Sequence, residues 1–440
     1  MDPFNKLPAE LRVKIMVSTC CPHTILQLIQ ASPVMLEQYT ASKCYIARKL
    51  LASEFDDGMV QDAMAIILFP PQSTSHFKTL ARAHCRSWAT QKLVNPLRQP
   101  LQSQDHDFIE QISKLRNGLM FFIEDYLTKA TAAFPPREYL CLSSGTQLIF
   151  KGQAVSHRFN AANLTIPERK RLLRAFMRYH LHSLISRIED DEAEILFSKK
   201  ALCGQELQPW DKEAILCVHT YLRSLYGAMV AQCSSDTWLP EVVSKSTSPH
   251  PPGLLYPDSL YVDPDFYALS LTHFRGTSGL AILGFDLAAV FLRSAAAGKS
   301  GQDHLRKWFA EAYPENLGNT YLHGWRSRRY LDCLDHNYSD FGAKEEDHQK
   351  GPGMYQILHS RLISTIDVQR KIYQQRAWVF FDNARFYPLP SPDARPHFPT
   401  EDDILNEQFG NSIQDEDWFT HPFETRVRHL SQKWHDKQRG

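Results

Sequence analysis

The sequence predicts a mainly α-helical protein with few or no strands, and three observations lead to this prediction. Apolar residues recur at the i, i+3, i+4 spacing of a helix over long stretches, most clearly over residues 165–188. Residues that favour a helix N-terminus precede such stretches, for example Ser32-Pro33 and the capping box from Thr165 to Glu168. The 440 residues are 43% hydrophobic and 22% charged, the ordinary composition of a globular chain long enough for two or three domains.

The first predicted helix begins close to the N-terminus, at Leu7 and Pro8. Proline suits the first helical position because its missing N–H needs no partner there and its fixed φ matches the helix. This places Leu7 at the N-cap, where leucine is worse than Ser, Thr, Asp or Asn by about 1 kcal/mol. A leucine in this position is better explained by a contact that it makes than by capping.

This helix carries apolar residues on two separate sides. At about 100° per residue, Leu7, Leu11 and Ile15 fall on one side. The residues of the other side are Val13, Met16 and Val17. Two apolar sides predict a helix that lies between its own core and a partner. The alternative is a helix that is buried on both sides within one large domain.

Two further helices complete a compact three-helix module over residues 1–52. An apolar stripe at helical spacing follows Pro22 and Thr24 and predicts a short amphipathic helix. Its apolar residues are Ile25, Leu26, Leu28 and Ile29. Ser32 and Pro33 then predict an N-cap and a proline at the first helical position, so a longer third helix begins there and continues to Leu51.

This module resembles the F-box, which binds a Skp-family adaptor and thereby a cullin-type ubiquitin ligase. The similarity covers residues 7–51, about a tenth of the chain. F-boxes often carry a basic residue and a tryptophan early in the third helix, where this chain has residues 34–37, Val-Met-Leu-Glu. The resemblance implies that the residues that bind the adaptor are Leu7, Pro8, Leu11, Ile15, Ile25, Leu28 and Ile29.

Residues 53–243 are predicted to form a large, irregular helical domain. Helices are predicted over residues 56–69, up to about 88, and over 107–134, 165–188 and 211–232. The proline-rich residues 244–265 predict an inter-domain linker or loop. Residues 266–388 form a second helical part, richer in aromatic residues, that could pack on the first, and residues 389–440 form a tail. No internal repeat is visible, which disfavours a leucine-rich or WD-type receptor domain.

Two aromatic segments extend the resemblance beyond the module. Residues 376–382 are predicted to be a short buried strand or the last turns of a core helix. Together with residues 174–179, this segment resembles parts of uncharacterised filamentous-fungal proteins that start with an F-box-like module. That likeness covers most of the chain, but it implies no known activity.

Composition and patterning exclude several classes of function. The formal net charge is zero, so a general affinity for nucleic acid or an acidic membrane is not expected. The helix over residues 165–188 has a basic face, which we interpret as a solvated face rather than a nucleic-acid site; its members are Lys170, Arg171, Arg174, Arg178 and Arg187.

Nine cysteines without framework spacing indicate free thiols in a reducing compartment. The apolar run from Gly279 to Leu292 is too short to span a bilayer. We therefore expect a soluble protein of the cytoplasm or nucleus.

The sequence shows no convincing catalytic, cofactor or metal site. Cys20, Cys21 and His23 lack a second ligand pair at zinc-site spacing. The densest polar cluster lies within residues 332–348, and an exposed acidic loop explains it better than a cation site. We therefore expect no enzyme, no cofactor and no metal.

These observations favour a substrate receptor that binds a Skp-family adaptor, and through it a cullin, and recruits an unknown protein target. The first alternative is a helical scaffold or regulatory protein with no link to ubiquitin. A weaker alternative is an enzyme with its site near residues 332–348. A receptor leaves the stripe of Leu7, Leu11 and Ile15 accessible, whereas a scaffold buries it.

Overall fold

The protein is mainly α-helical, as predicted: 72% of the residues described by the computed structural model lie in helices. It describes residues 2–19, 22–98, 105–186, 208–233, 237, 239, 260–264, 277–311, 351–362, 367–387 and 396–410. The α-helices are α1 (Ala9–Ser18), α2 (Pro22–Ala31), α3 (Pro33–Glu54), α4 (Asp57–Ile67), α5 (Phe77–Ala89), α6 (Asp105–Ala130), α7 (Pro135–Tyr139), α8 (Ile166–Ser186), α9 (Pro209–Cys233), α10 (Ser278–Ala281), α11 (Gly284–Ala296), α12 (Lys299–Glu311), α13 (Gly353–Leu358), α14 (Asp367–Gln375) and α15 (Glu401–Gly410).

The chain divides into two compact units that interleave along the sequence. The first comprises Met1–Phe122 and Asn160–Glu206, and the second comprises Ile123–Phe159 and Leu207–Gly440. The predicted module, residues 1–52, lies within the first unit, whereas the predicted helical domain, residues 53–243, contributes to both. The predicted linker, part 266–388 and tail are described only in part. The domain limits drawn from the sequence stay a prediction.

The N-terminal module has a small apolar core of its own. A 3₁₀ helix, Pro3–Lys6, precedes α1, and α1 and α2 both pack on α3. The buried residues of this core are Met16, Ile25, Met35 and Ile46. Met16 comes from the side of α1 that the apolar pattern assigned to the core, and Val13 and Val17 from that side pack around it. Ile15, which the apolar pattern assigned to the opposite side, also packs against this core, so the two sides of α1 are not fully separate.

The predicted helix starts are confirmed in this unit, with one correction. Ser32 caps α3 by accepting from the Met35 N–H at 3.1 Å. The N-cap of α1 is Pro8, not Leu7, so the helix begins one residue later than predicted. Proline at the N-cap makes no side-chain cap, and its carbonyl accepts from the backbone N–H groups of Leu11 and Arg12.

The capping box of α8 is present. The Thr165 N–H donates to the Glu168 carboxylate at 2.9 Å, and the Glu168 N–H donates to the Thr165 hydroxyl at 3.3 Å. These two bonds satisfy donors that the start of a helix would otherwise leave without partners.

The basic face of α8 is only partly solvated: Arg178 is buried, Lys170, Arg171 and Arg174 are half-buried, and Arg187 lies outside the described residues. Arg174 forms an ion pair with Asp56, the N-cap of α4. Arg178 is buried and lies 3.5 Å from the carboxylate of Asp62 on α4. The sequence pattern could not show this, because the acidic partners lie more than a hundred residues earlier in the chain. Through Arg174 and Arg178 this face joins α8 to α4.

The second unit contains three short antiparallel strands in the order β1 (Leu142–Ser144), β2 (Gln147–Phe150) and β3 (Gln153–His157). Leu142 pairs with Ile149, and Phe150 pairs with Gln153. The turns between them pass through Gly145 at φ 59° and Gly152 at φ 86°. Glycine adopts such positive φ at no steric cost, which makes the tight reversals possible.

Helix α9 forms the centre of the second unit, close to its predicted bounds of 211–232. Nearly all of its side chains are buried, and α10, α11, α12 and α14 pack against it. Among the described residues it is the one helix long and apolar enough to cross a membrane, with 89% of its apolar window buried in the protein.

The aromatic segment after α14 is a 3₁₀ helix, Trp378–Phe380, rather than the strand or α-helical turns that we expected. Ala377 separates the two helices with a left-handed φ of 55°. Three tyrosine hydroxyls donate to carbonyls at the end of α14 and just after it: Tyr126 to Gln374, Tyr139 to Gln375 and Tyr387 to Arg376. The Gln374 carbonyl also accepts from the Ala377 N–H, at 3.1 Å.

Acid sensitivity of the first unit should depend on His182 of α8. Burial lowers the pKa of His182 to about 4, from an ordinary value of 6.5. Between pH 6.5 and 4, His182 binds a proton in the unfolded chain but not in the folded one. The free energy of unfolding therefore falls as the pH is lowered, by about 3 kcal/mol over the whole window. We expect His182→Leu to flatten the pH dependence of the free energy of unfolding in this window, measured by urea titration.

The exposed His106 provides the control for this experiment. His106→Gln should keep the slope of the wild-type protein. Equal slopes for His182→Leu and wild type would contradict the assignment.

Candidate functional site

The candidate site is the outward side of α1, which we call the α1 surface. It is a shallow, open depression lined by Leu7, Leu11, Lys14, Ile15, Ser18 and Thr19. Leu11 is 45% exposed, whereas Leu7 and Ile15 are half-buried and Pro8 is exposed. The stripe identified in the sequence is therefore partly accessible in the folded chain: Leu11 is exposed, whereas Ile15 lines the depression and also packs against the module core.

Local contacts fix the start of α1 beneath this surface. The Arg12 Nε donates to the Leu7 carbonyl at 2.9 Å, across the turn that leads into the helix. Asp2 accepts from the Phe4 N–H at 2.9 Å and from the Ser32 hydroxyl at 2.5 Å, which ties the preceding 3₁₀ helix to the start of α3. The hydrogen bond from Ser32 is the main reason why the pKa of Asp2 is lowered. None of these bonds involves the side chain of Leu7 or Leu11.

The three site residues predicted on α2 are placed differently. Ile25 is a buried member of the module core, and Leu28 and Ile29 are half-buried and pack around that core. Ile25 has almost no exposed surface with which to contact a partner, so it belongs to the core beneath the surface and not to the surface itself. We leave Ile25 out of the surface proposed as the binding site.

The residues that depart from the F-box pattern lie at the start of α3. Met35 belongs to the module core, whereas Leu36 and Glu37 are exposed. Leu36 therefore adds an apolar side chain to the outside of the module at a place where the family often has a basic residue and a tryptophan. Sequence spacing alone did not single out Leu36, Lys14, Ser18 or Thr19 as surface residues.

The described residues offer no cluster of metal ligands. They contain no group of three or more His, Cys, Asp or Glu side chains close enough to hold a metal ion. The polar cluster at residues 332–348, and Cys20 and Cys21, lie outside the described residues. What the described surface offers is an apolar patch bordered by polar groups, which suits contact with another protein.

No family model, curated protein or solved structure matches this chain.

Proposed function

We propose that this chain is the substrate-receptor subunit of a cullin-type ubiquitin ligase, bound to a Skp-family adaptor through the α1 surface. The observation that carries the proposal is the 45% exposure of Leu11 beside the half-buried Leu7 and Ile15 in one surface depression, on a helix that Met16 anchors to the module core. Chemistry would belong to other subunits, so the receptor itself needs no active site, cofactor or metal. The protein target remains to be identified, and such complexes work in the cytoplasm or nucleus.

The geometry suits a docking surface in two respects. The core of Met16, Ile25, Met35 and Ile46 holds α1 on α3, so the surface is formed before the partner arrives. Little conformational entropy is then lost on binding, which favours affinity. Truncation of an apolar anchor at the centre of such an interface typically costs about 2–4 kcal/mol of binding free energy.

The rival interpretation is a scaffold whose N-terminal helices pack only internally. A single exposed leucine is ordinary, as Leu80 shows at the same 45%. What favours the receptor is that Leu11 lies beside two further apolar residues, Leu7 and Ile15, in one surface depression. The enzyme alternative concerns residues 332–348, which lie outside the described part of the chain.

The proposal is tested by measuring the affinity of the full chain for a purified Skp-family adaptor, with a Leu7→Ala, Leu11→Ala double variant. We expect binding to weaken about 100-fold or more, because two central anchors are truncated. The Arg12 bond to the Leu7 carbonyl survives in the variant, because it involves only backbone at residue 7.

Leu80 on α5 provides a matched control, since it is also a leucine on a helix of the first unit and is also 45% exposed. Leu80→Ala should leave the affinity for the adaptor unchanged. If folded wild-type protein does not bind the adaptor, the receptor proposal is wrong and the scaffold becomes the better interpretation.

A further inference from the structure

A second feature of the first unit is a cleft of about 800 Å³ that is separate from the α1 surface. Its walls are α2, the length of α3 from Tyr39 to Glu54, the part of α6 from His106 to Asn117, and the first turn of α8. A volume of this size is typical of pockets that bind small molecules, which range over about 300–1,000 Å³.

The inside of the cleft is aliphatic. Its apolar lining includes the half-buried Ile29 and Leu50 and the buried Ile46, Leu51 and Ile109. Two further lining residues are unusually exposed for their type, Leu26 at 48% and Ile166 at 57%. Exposed aliphatic side chains that border an aliphatic cleft indicate a surface that a ligand covers.

One end of the cleft carries more positive than negative charge. There the Glu54 carboxylate is shared by two guanidinium groups: Arg116 donates to it through Nε and Nη2, and Arg169 lies 3.5 Å away. The Arg169 Nε is buried, and no hydrogen-bond acceptor among the described residues contacts it. Helix α8 also begins here, and the positive end of its dipole adds to the field.

The same excess holds for the whole lining. Four basic side chains face three acidic ones; the basic residues are Lys43, Lys114, Arg116 and Arg169, and the acidic residues are Glu54, Asp107 and Glu110. A ligand that brings one negative charge would balance the site.

The walls of the cleft favour an alkyl chain over an extended peptide. An extended peptide needs a strand edge to satisfy its backbone N–H and C=O groups, and the walls are helices whose backbone groups bond internally. An alkyl chain has no such groups to satisfy.

We propose that this cleft binds a long-chain aliphatic carboxylate, with the alkyl chain along the isoleucine and leucine side chains and the carboxylate at Arg116 and Arg169. The charge complementarity of that end selects the head group, and the apolar lining selects the chain. The inference concerns a different surface from the one proposed to bind the adaptor and does not depend on it.

The test uses the full chain and dansylundecanoate, a fluorescent aliphatic carboxylate, with hexadecanoate as the competitor. Binding should saturate at one probe per chain, and hexadecanoate should displace the probe. Hexadecanol and hexadecylamine should compete at least tenfold more weakly. Equal competition by hexadecylamine would overturn the assignment of the head group, and failure of the probe to bind would overturn the site.

A matched pair of variants locates the ligand. Ala47 lines the cleft on α3, and Ala83 is an exposed alanine on α5 outside it. Ala47→Phe fills the cleft without removing a core side chain, so we expect at least a tenfold loss of probe affinity, whereas Ala83→Phe should leave it unchanged. Circular dichroism establishes that both variants are folded. Equal affinity in the two folded variants would place the ligand elsewhere and contradict the proposal.

Cys44 gives a readout that does not require substitution of a residue. It lines the cleft and is half-buried, whereas the other cysteines among the described residues, Cys85, Cys141, Cys217 and Cys233, are buried. Hexadecanoate should slow the alkylation of Cys44 by iodoacetamide, followed by peptide mass spectrometry. An unchanged rate at saturating hexadecanoate would overturn the site. The Leu7→Ala, Leu11→Ala variant should keep this protection, so failure of the adaptor proposal would leave the ligand proposal intact.

Discussion

Replacement of Asp125 by alanine is expected to lower the free energy of unfolding of the second unit by about 3–5 kcal/mol. Asp125 on α6 is 1% exposed and accepts from the Lys129 ammonium at 2.8 Å, the Tyr221 hydroxyl at 2.7 Å and the Ser143 hydroxyl at 2.5 Å. Lys129 is fully buried, so the variant leaves its charge without the carboxylate that balances it. The loss of a partner costs more than the pair contributes, because the remaining charge stays desolvated.

An exposed ion pair of the same unit provides the control. Asp303 and Arg306 form an i, i+3 pair whose side chains are about half exposed, and such pairs contribute less than about 1 kcal/mol. Urea unfolding should therefore separate Asp125→Ala clearly from Asp303→Ala. In Asp125→Ala, Lys129→Met, which also removes the buried charge, part of the lost stability should return. Equal losses for Asp125→Ala and Asp303→Ala would contradict this account of the second unit.

Replacement of Glu213 by alanine is expected to cost about 3–4 kcal/mol, for a related reason. The Glu213 carboxylate on α9 is fully buried and accepts two hydrogen bonds from Arg370 of α14, at 2.8 and 3.1 Å. It also accepts from the Gln374 amide at 3.1 Å and the Trp378 indole at 3.3 Å. One side chain thus joins α9 to α14 and to the 3₁₀ helix that follows it.

A conservative variant and an exposed pair test this explanation. Glu213→Gln keeps an acceptor for the indole but loses the charge, so its cost should be roughly half that of Glu213→Ala. Asp303 pairs with Arg306 on the surface of the same unit, and Asp303→Ala should cost less than about 1 kcal/mol in the same urea titration. If Glu213→Ala lowered the free energy of unfolding as little as Asp303→Ala does, the Glu213 carboxylate would not hold α14 and the following 3₁₀ helix on α9.

Local signals in the sequence predicted the parts of the fold that local contacts decide. The Thr165–Glu168 capping box, the Ser32 cap and the two sides of α1 all depend on residues within a few positions of each other. Helical periodicity alone placed Met16 on the core side of α1 and Leu11 on the exposed side, but it did not predict the contact of Ile15 with the core. The resemblance to an F-box then supplied a partner for the exposed side, and that partner stays a prediction.

Features that depend on distant residues were missed. Arg178 was expected in solvent because its partner Asp62 is remote in the sequence, and Ile25 was expected at the surface because its stripe also fits a partner-facing side. The cleft is formed where α3 meets α6, and no local pattern indicates which helices meet. Glycines at residues 145 and 152 were the available signal for the strand turns.

The most direct test of the receptor proposal is site-specific photo-crosslinking from position 11 of α1. Leu11 would be replaced by benzoylphenylalanine in the full chain, and Leu80, equally exposed on α5, would carry the same group as the control. The account predicts that irradiation with a purified Skp-family adaptor gives a crosslinked product from position 11 and none from position 80. No product from position 11 in a folded chain, or equal products from both positions, would contradict the claim that α1 binds the adaptor.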